Sequence, residues 1–169
     1  LEYLSPETSQ VVMQVAPFLL MLGGVLFFGE RLKKIEIAGA ILIFAGLMLF
    51  FNDRLKGLFI SLDQFTVGVA IVVFAATFWA AYALMQKPLL RVLTAKQLTL
   101  LIYMLGALML LPFANLMQLF SMSSLQLFAL LFCCLNTIIA YGAFTEAMFV
   151  WQASKVSAVI SLSPLFTFI

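Results

Sequence analysis

Read as a string of apolar and polar positions, the chain is a series of long apolar runs separated by short polar breaks. Runs over roughly 8–29, 35–51, 65–86, 97–118 and 125–149 each have the length a helix needs to cross a bilayer at 1.5 Å per residue. A sixth begins near 154 and continues to the last residue. Inside hydrocarbon a segment must satisfy its own backbone hydrogen bonds, so such runs predict helices. The expected fold is all-α, a polytopic transmembrane helix bundle. The connecting segments, about five to fourteen residues, are too short to hold a separate soluble domain.

Composition points the same way. The chain is 65% hydrophobic and 9% charged with a mean hydropathy of +1.18, against about 25% charge in a soluble domain. Its eighteen Phe and nine Met are expected to fill lipid-facing and helix-packing surfaces. Small residues recur at helical spacing, Gly39 and Gly46 in one run and Ala76, Ala80 and Ala83 in the next, and predict close helix approach. Cys133 and Cys134 are adjacent, lack the spaced partners of a metal site or disulfide framework, and are expected to be buried apolar residues. The opening LEYLSPETSQ has neither an initiating Met nor the pattern of a signal peptide, so the start is expected to be a cut one.

These features exclude several function classes. The chain has no His, and no paired carboxylates or nucleophile with a base, so no enzyme, metal or cofactor chemistry is expected. Its net charge of +2 is spread over loops without a basic stripe or a phosphate-binding glycine loop, which argues against nucleic acid. The expected partners are the lipid bilayer and a small-molecule substrate.

Charge placement sets the expected threading. Five of the charged residues (Glu30, Arg31, Lys33, Lys34, Glu36) crowd into one break. Lys and Arg accumulate in cytoplasmic loops, whereas acids count for little. Arg31, Lys33, Lys34, Lys87, Arg91, Lys96 and Lys155 fall on one set of alternating loops, and only Arg54 and Lys56 on the other. The GERLKK break is therefore expected in the cytoplasm. It serves as an orientation signal with a helix end, or in gating, and Glu30 and Glu36 are expected to pair with neighbouring bases.

Laying Pro17 on Pro164 aligns SPETSQVVMQVAPFLLML with QASKVSAVISLSPLFTFI at an offset of 147 residues. A repeat of that length holds five spans. An odd number inverts the second copy, the arrangement by which many secondary transporters build two gates around a midplane site.

The stretch APFLLMLGGVLFFGERLKKIEIAGAILIFAGLMLF, with an early proline, a Gly29-Glu30-Arg31 turn and a Gly-rich following span, resembles the end of an EamA domain of the drug/metabolite transporter superfamily. The resemblance implies a portion of a ten-helix inverted-repeat (5+5) transporter of the bacterial inner membrane. On it, residues 1–51 end the first EamA repeat, 52–64 form a non-cytoplasmic linker, and 65–169 begin a second, truncated repeat. It implies export of a small metabolite or amino-acid derivative by alternating access. The alternative is a non-functional or assembling fragment, with the missing portions of the same transporter or a second copy as partner.

Polar groups within spans are costly and so mark candidate path residues. Gln10 and Gln14 share a helical face, and Pro17 is expected to leave the carbonyl of Met13 unbonded, for the path or for interhelical bonding. Trp79, Tyr82 and Gln86 form a stripe that is either path or interfacial belt. Asn136, Thr137 and Tyr141 lie mid-span. Glu146 is the one acid well within a run, suited to carry a proton, attract a cationic substrate, or pair with Lys155. Ser157, Ser161 and Ser163 with Pro164 mirror the glutamine face, or bond back to their own helix.

Overall fold

The computed structural model describes residues 4–50 and 64–163. Among them there is no strand. The helices are α1 (Pro6–Val12), α2 (Val15–Phe28), α3 (Lys34–Phe50), α4 (Gln64–Leu89), α5 (Ala95–Leu110), α6 (Ser124–Val150) and α7 (Ala153–Ile160), with short 3-10 turns at Leu111–Phe113 and Leu116–Ser121. Four described segments are long and apolar enough to cross a membrane: Thr8–Phe28, Gln64–Leu89, Ala95–Phe113 and Ser124–Val150. The run over 35–51 appears as the 17 residues of α3. The expected linker over 52–64, apart from Gln64, and Pro164 lie outside the described residues.

The first run is broken. Pro17 has no N–H to return to the carbonyl of Met13, and the chain turns at Met13 and Gln14 between α1 and α2. The expected free carbonyl is not found: the N–H of Ala16 reaches the Met13 oxygen at 2.9 Å, closing a tighter turn. The run over 97–118 is also shorter than its hydropathy suggests. Pro112 ends the α-helical ladder, and beyond Phe113 the chain is irregular and 3-10 until α6 begins.

Helix starts are marked by local caps. Ser5 accepts from the N–H of Thr8 at 3.3 Å. Thr94 and Gln97 form a reciprocal capping box at α5. Ser123 and Gln126 do the same at α6. Glu36 reaches back to the N–H of Lys33 at 2.8 Å, so its carboxylate serves the start of its own helix.

The chain forms two compact units, one from residues before Gln86 and after Val150, the other Gln86–Val150. In the first, α7 packs chiefly on α2 and also on α3. The buried residues of α2 are Ala16, Pro17, Leu20, Gly23 and Gly24, which recur at three- and four-residue spacing along one side of the helix. A Cβ at Gly23 would collide with Leu84 of α4. Ala76, Ala80 and Ala83 are buried, as their spacing predicts. Gly39 and Gly46 are exposed, with nothing within 4 Å of where a Cβ would stand. The close approach is made by Gly23 and Gly24 instead.

In the second unit α5 packs on α6. Its buried residues include Leu90, Ala95, Leu98 and Met148, and also the pair Thr145 and Gln86, whose side chains meet at 3.1 Å. Lys87 adds a bond from Nζ to the carbonyl of Met148 at 3.2 Å. Cys133 and Cys134 are free thiols on the exposed surface of α6, against the expectation of burial. An apolar helix facing hydrocarbon needs no protein cover, so apolarity alone does not mark a protein-buried side.

Candidate functional site

The GER turn is built to return a carboxylate to the bundle. Gly29 ends α2 in the left-handed region (φ 63°, ψ 28°), where glycine carries no Cβ penalty. The N–H of Glu30 then closes on the carbonyl of Gly24 at 3.2 Å. This folds the Glu30 side chain back over Gly24. A Cβ at Gly24 would stand 2.7 Å from Oε2 of Glu30 and 3.2 Å from the Cβ of Ala153.

The carboxylate lands on the start of α7. Oε1 accepts from the N–H of Ala153 at 2.8 Å and Oε2 from the N–H of Ser154 at 3.0 Å. Both residues are fully buried, at 0% exposure, so without this partner their N–H groups would be shut away from water. The helix does not cap itself: Gln152 occupies the N-cap position with no side-chain bond. A charge-assisted pair at a helix N-terminus is favourable both as hydrogen bonds and against the helix dipole. Glu30 and Glu36 thus each serve a helix start. Arg31 is exposed.

Along α2 and α7 from this cap, a cavity of about 380 Å³ opens among α2, α3 and α7. Pro17, Phe18 and Met21 line it from α2, Glu36 and Gly39 from α3, and Ser157 and Ser161 from the α7 side. Phe18 and Phe44 lie 6.4 Å apart between ring centres and join α2 to α3. The cavity is of ligand-pocket size, mostly apolar with a few polar groups, the usual make-up of a small-molecule site. Pro17 and Ser161, predicted from opposite ends of the chain, line the same space.

The hydroxyls in it are internally bonded: Ser157 to the carbonyl of Ser154 at 2.8 Å, and Ser161 to that of Ala158 at 2.7 Å. Ser163 does likewise to Ile160 at 2.6 Å. Gln14 is buried at the turn before α2, and its Oε1 has no partner. Gln10 is half-buried within α1, so the turn at Met13 interrupts the shared face expected for the two glutamines. Trp79 and Tyr82 are half-buried on α4.

In the second unit, Glu146 is exposed and lines a groove between α5 and α6 with Lys96, Thr99 and Tyr103. Tyr103 donates to the carbonyl of Thr137 at 3.2 Å, and Thr137 to that of Cys133 at 2.7 Å. Asn136 and Tyr141 are exposed. Gln86 is drawn from the predicted stripe into the pair with Thr145, whose hydroxyl also bonds the carbonyl of Tyr141 at 2.8 Å.

Comparison with known proteins decides the family. The model of the EamA-like transporter family matches residues 1–52 and 66–169. This chain belongs to the EamA-like transporter family. It is 43% identical over 167 residues to an uncharacterized inner membrane transporter, YhbE, of Escherichia coli K12, covering 99% of this chain and 52% of that protein. The same identity and coverage hold for YhbE of Shigella flexneri. An uncharacterized transporter of Haemophilus influenzae is 39% identical over 167 residues, 99% of this chain and 54% of that one. The chain therefore spans about half the length of the curated relatives it matches. No solved structure matches it. With its apolar helices and its inner-membrane relatives, this EamA-family chain is a multi-pass inner-membrane protein.

Two features of this EamA-family chain escape a reading of hydropathy. The bond from Glu30 to α7 joins residues more than 120 positions apart, and its trace in the sequence is negative: WQAS opens a helix without Ser, Thr, Asp or Asn at the N-cap. The other is the seat for that bond, Gly24, which with Gly23 is not among the small residues whose spacing predicts close helix approach.

Proposed function

We propose that this chain is the membrane-spanning machinery, or a large part of it, of a secondary transporter that exports a small metabolite by alternating access. The observation that carries the reading is the pairing of α2 with the α7 segment. The stretches 5–22 and 152–169 overlay at an offset of 147 residues in the sequence, α2 and α7, which lie partly or wholly within them, pack on each other, and residues of both stretches line one cavity of about 380 Å³. In inverted-repeat transporters the substrate site lies at the interface between repeats. On this reading residues 1–51 close a first five-span repeat, 52–64 cross the non-cytoplasmic face, and 65–169 belong to the inverted second repeat.

The lining favours a small amphipathic or zwitterionic substrate such as an amino-acid derivative. Phe18, Met21 and Leu42 supply apolar wall, while Ser157, Ser161 and Glu36 are polar residues of the lining. The excess of Lys and Arg on alternate loops orients the GER turn to the cytoplasm. The family and the relatives' names favour transport over catalysis.

The reading is tested in membrane vesicles carrying the protein, with a labelled panel of amino acids and neutral or zwitterionic derivatives. At least one compound is expected to move faster than in vesicles without the protein, and Ser161→Leu, which fills the cavity, is expected to slow it at least about tenfold. Transport untouched by Ser161→Leu would remove the cavity from the path.

A second reading, a portion that assembles with the complementary part of a transporter or with a second copy, is favoured by Asn136. Its amide is exposed in the middle of α6, where a polar group in hydrocarbon calls for a partner helix or a cavity.

A further inference from the structure

We propose that Glu30 is a latch, closing the end of the α2–α7 cavity that lies beside the charged turn, in addition to being the N-terminal cap of α7. The proposal rests on the transport reading above for its role, and on the following geometry for its existence.

The cap belongs to a different helix from the one it serves. Ser5, Thr94 and Ser123 sit next to the helices they cap, so those caps move with their helices. Glu30 extends from the end of α2, fixed there by the left-handed Gly29 and by its own N–H on Gly24. Parting α2 from α7 at this end must break both bonds, to Ala153 and to Ser154. It would also leave the start of α7 uncapped, since Gln152 makes no cap bond. Ser161 lies eight residues, about 12 Å, along α7 from Ala153. Between them, Ser157 lines the cavity yet is 2% exposed. The closed latch and the hidden Ser157 are therefore features of one state, and opening the latch exposes Ser157.

This arrangement suits a gate. Two charge-assisted bonds to backbone N–H groups hold firmly, but they involve a single side chain and can exchange for water once that end of the cavity is wetted. The Gly24 seat has no Cβ, which lets the carboxylate lie flat between the helices.

The test uses the protein in native vesicles, with Cys133→Ser and Cys134→Ser to remove the free thiols and Ser157→Cys as reporter. A membrane-impermeant thiol reagent is added on the side carrying Arg31, Lys33 and Lys34. In this parent the reporter is expected to react slowly. Glu30→Gln keeps the size but places an NH₂ against a backbone N–H. It is expected to raise the labelling rate about tenfold or more, the factor that losing one charge-assisted bond carries.

A second variant separates latch from cap. Gln152 has an extended backbone (φ −65°, ψ 146°), suited to a capping Asp. Glu30→Gln with Gln152→Asp restores a cap to α7 without tying it to α2. This double variant is expected to recover thermal stability while Ser157→Cys stays reactive. Labelling at the parent rate in the double variant would overturn the latch and leave Glu30 as a cap only, and so would a rate unchanged by Glu30→Gln alone. If Glu30→Gln does not fold, the double variant decides by the same criterion. The labelling needs no substrate, so a latch that fails here is distinct from a transport reading that fails in the substrate panel.

Discussion

The contrast between Gly23 and Gly24 gives a sharp prediction, because the more severe clash should be the less costly one. The three atoms nearest a Cβ at Gly23 all belong to the Leu84 side chain, whose methyl groups can swing aside for about 0.5–1.5 kcal/mol of rotamer strain. Alanine in place of glycine within a helix returns about 0.8–1 kcal/mol. Gly23→Ala is therefore expected to be near neutral. At Gly24 the added Cβ would stand 2.7 Å from Oε2 of Glu30 and 3.2 Å from the Cβ of Ala153. The second atom is fixed to backbone, so the carboxylate must retreat by about 0.6 Å to reach ordinary contact, which stretches its 3.0 Å bond to Ser154 beyond the hydrogen-bonding range. Losing one charge-assisted bond costs about 1.5–3 kcal/mol, and crowding a packed contact adds about 1–3. After the helix-propensity gain, Gly24→Ala should destabilise by about 1.5–5 kcal/mol. Thermal unfolding in detergent, followed by Trp fluorescence, should then show a fall of roughly 3–20 °C, against a shift within about 3 °C for Gly23→Ala. In a Glu30→Ala background the Gly24→Ala penalty should shrink to about half. Equal effects at the two glycines, or a Gly24→Ala penalty unchanged by Glu30→Ala, would refute the reasoning.

Other expectations follow from the same structure. Thr145→Val leaves the buried Gln86 amide without the partner it has at 3.1 Å; the cost should be about 1 kcal/mol, read as a fall in melting temperature, with Gln86→Leu in the same chain recovering most of it. Pro17→Ala should let residue 17 donate to the Met13 carbonyl and straighten the turn between α1 and α2; melting temperature should rise while transport falls, and a rise in both would disconnect the turn from function. Thr94→Ala removes the capping box of α5 and should cost about 1 kcal/mol in thermal unfolding with transport unchanged.

The helical architecture was legible because bilayer thickness and backbone hydrogen bonding leave few choices for long apolar runs. Proline adds what hydropathy does not show: Pro17 puts a turn inside the first run, which still spans Thr8–Phe28, and Pro112 ends the fourth near Phe113. Small residues were legible in α4, where Ala76, Ala80 and Ala83 are buried, but not in α3, where Gly39 and Gly46 stand open. Spacing defines a face and says nothing of what covers it. At the site, Pro17 and Ser161 are legible because the stretches that carry them overlay, Pro17 on Pro164 and Gln14 on Ser161. Glu30 stands out in the sequence by its charge. Its placement on α7 depends on a turn geometry set by Gly29 and on a partner more than 120 residues away, neither of which periodicity can register.

The central claim is that the cavity between α2 and α7 holds the transported molecule. Its most direct test is substrate protection in the thiol-free background: Ser161→Cys is labelled with and without a saturating transported compound, and transport is then measured. The account predicts that labelling blocks transport and that the compound slows labelling about tenfold or more. Full transport after complete labelling of Ser161→Cys would contradict it.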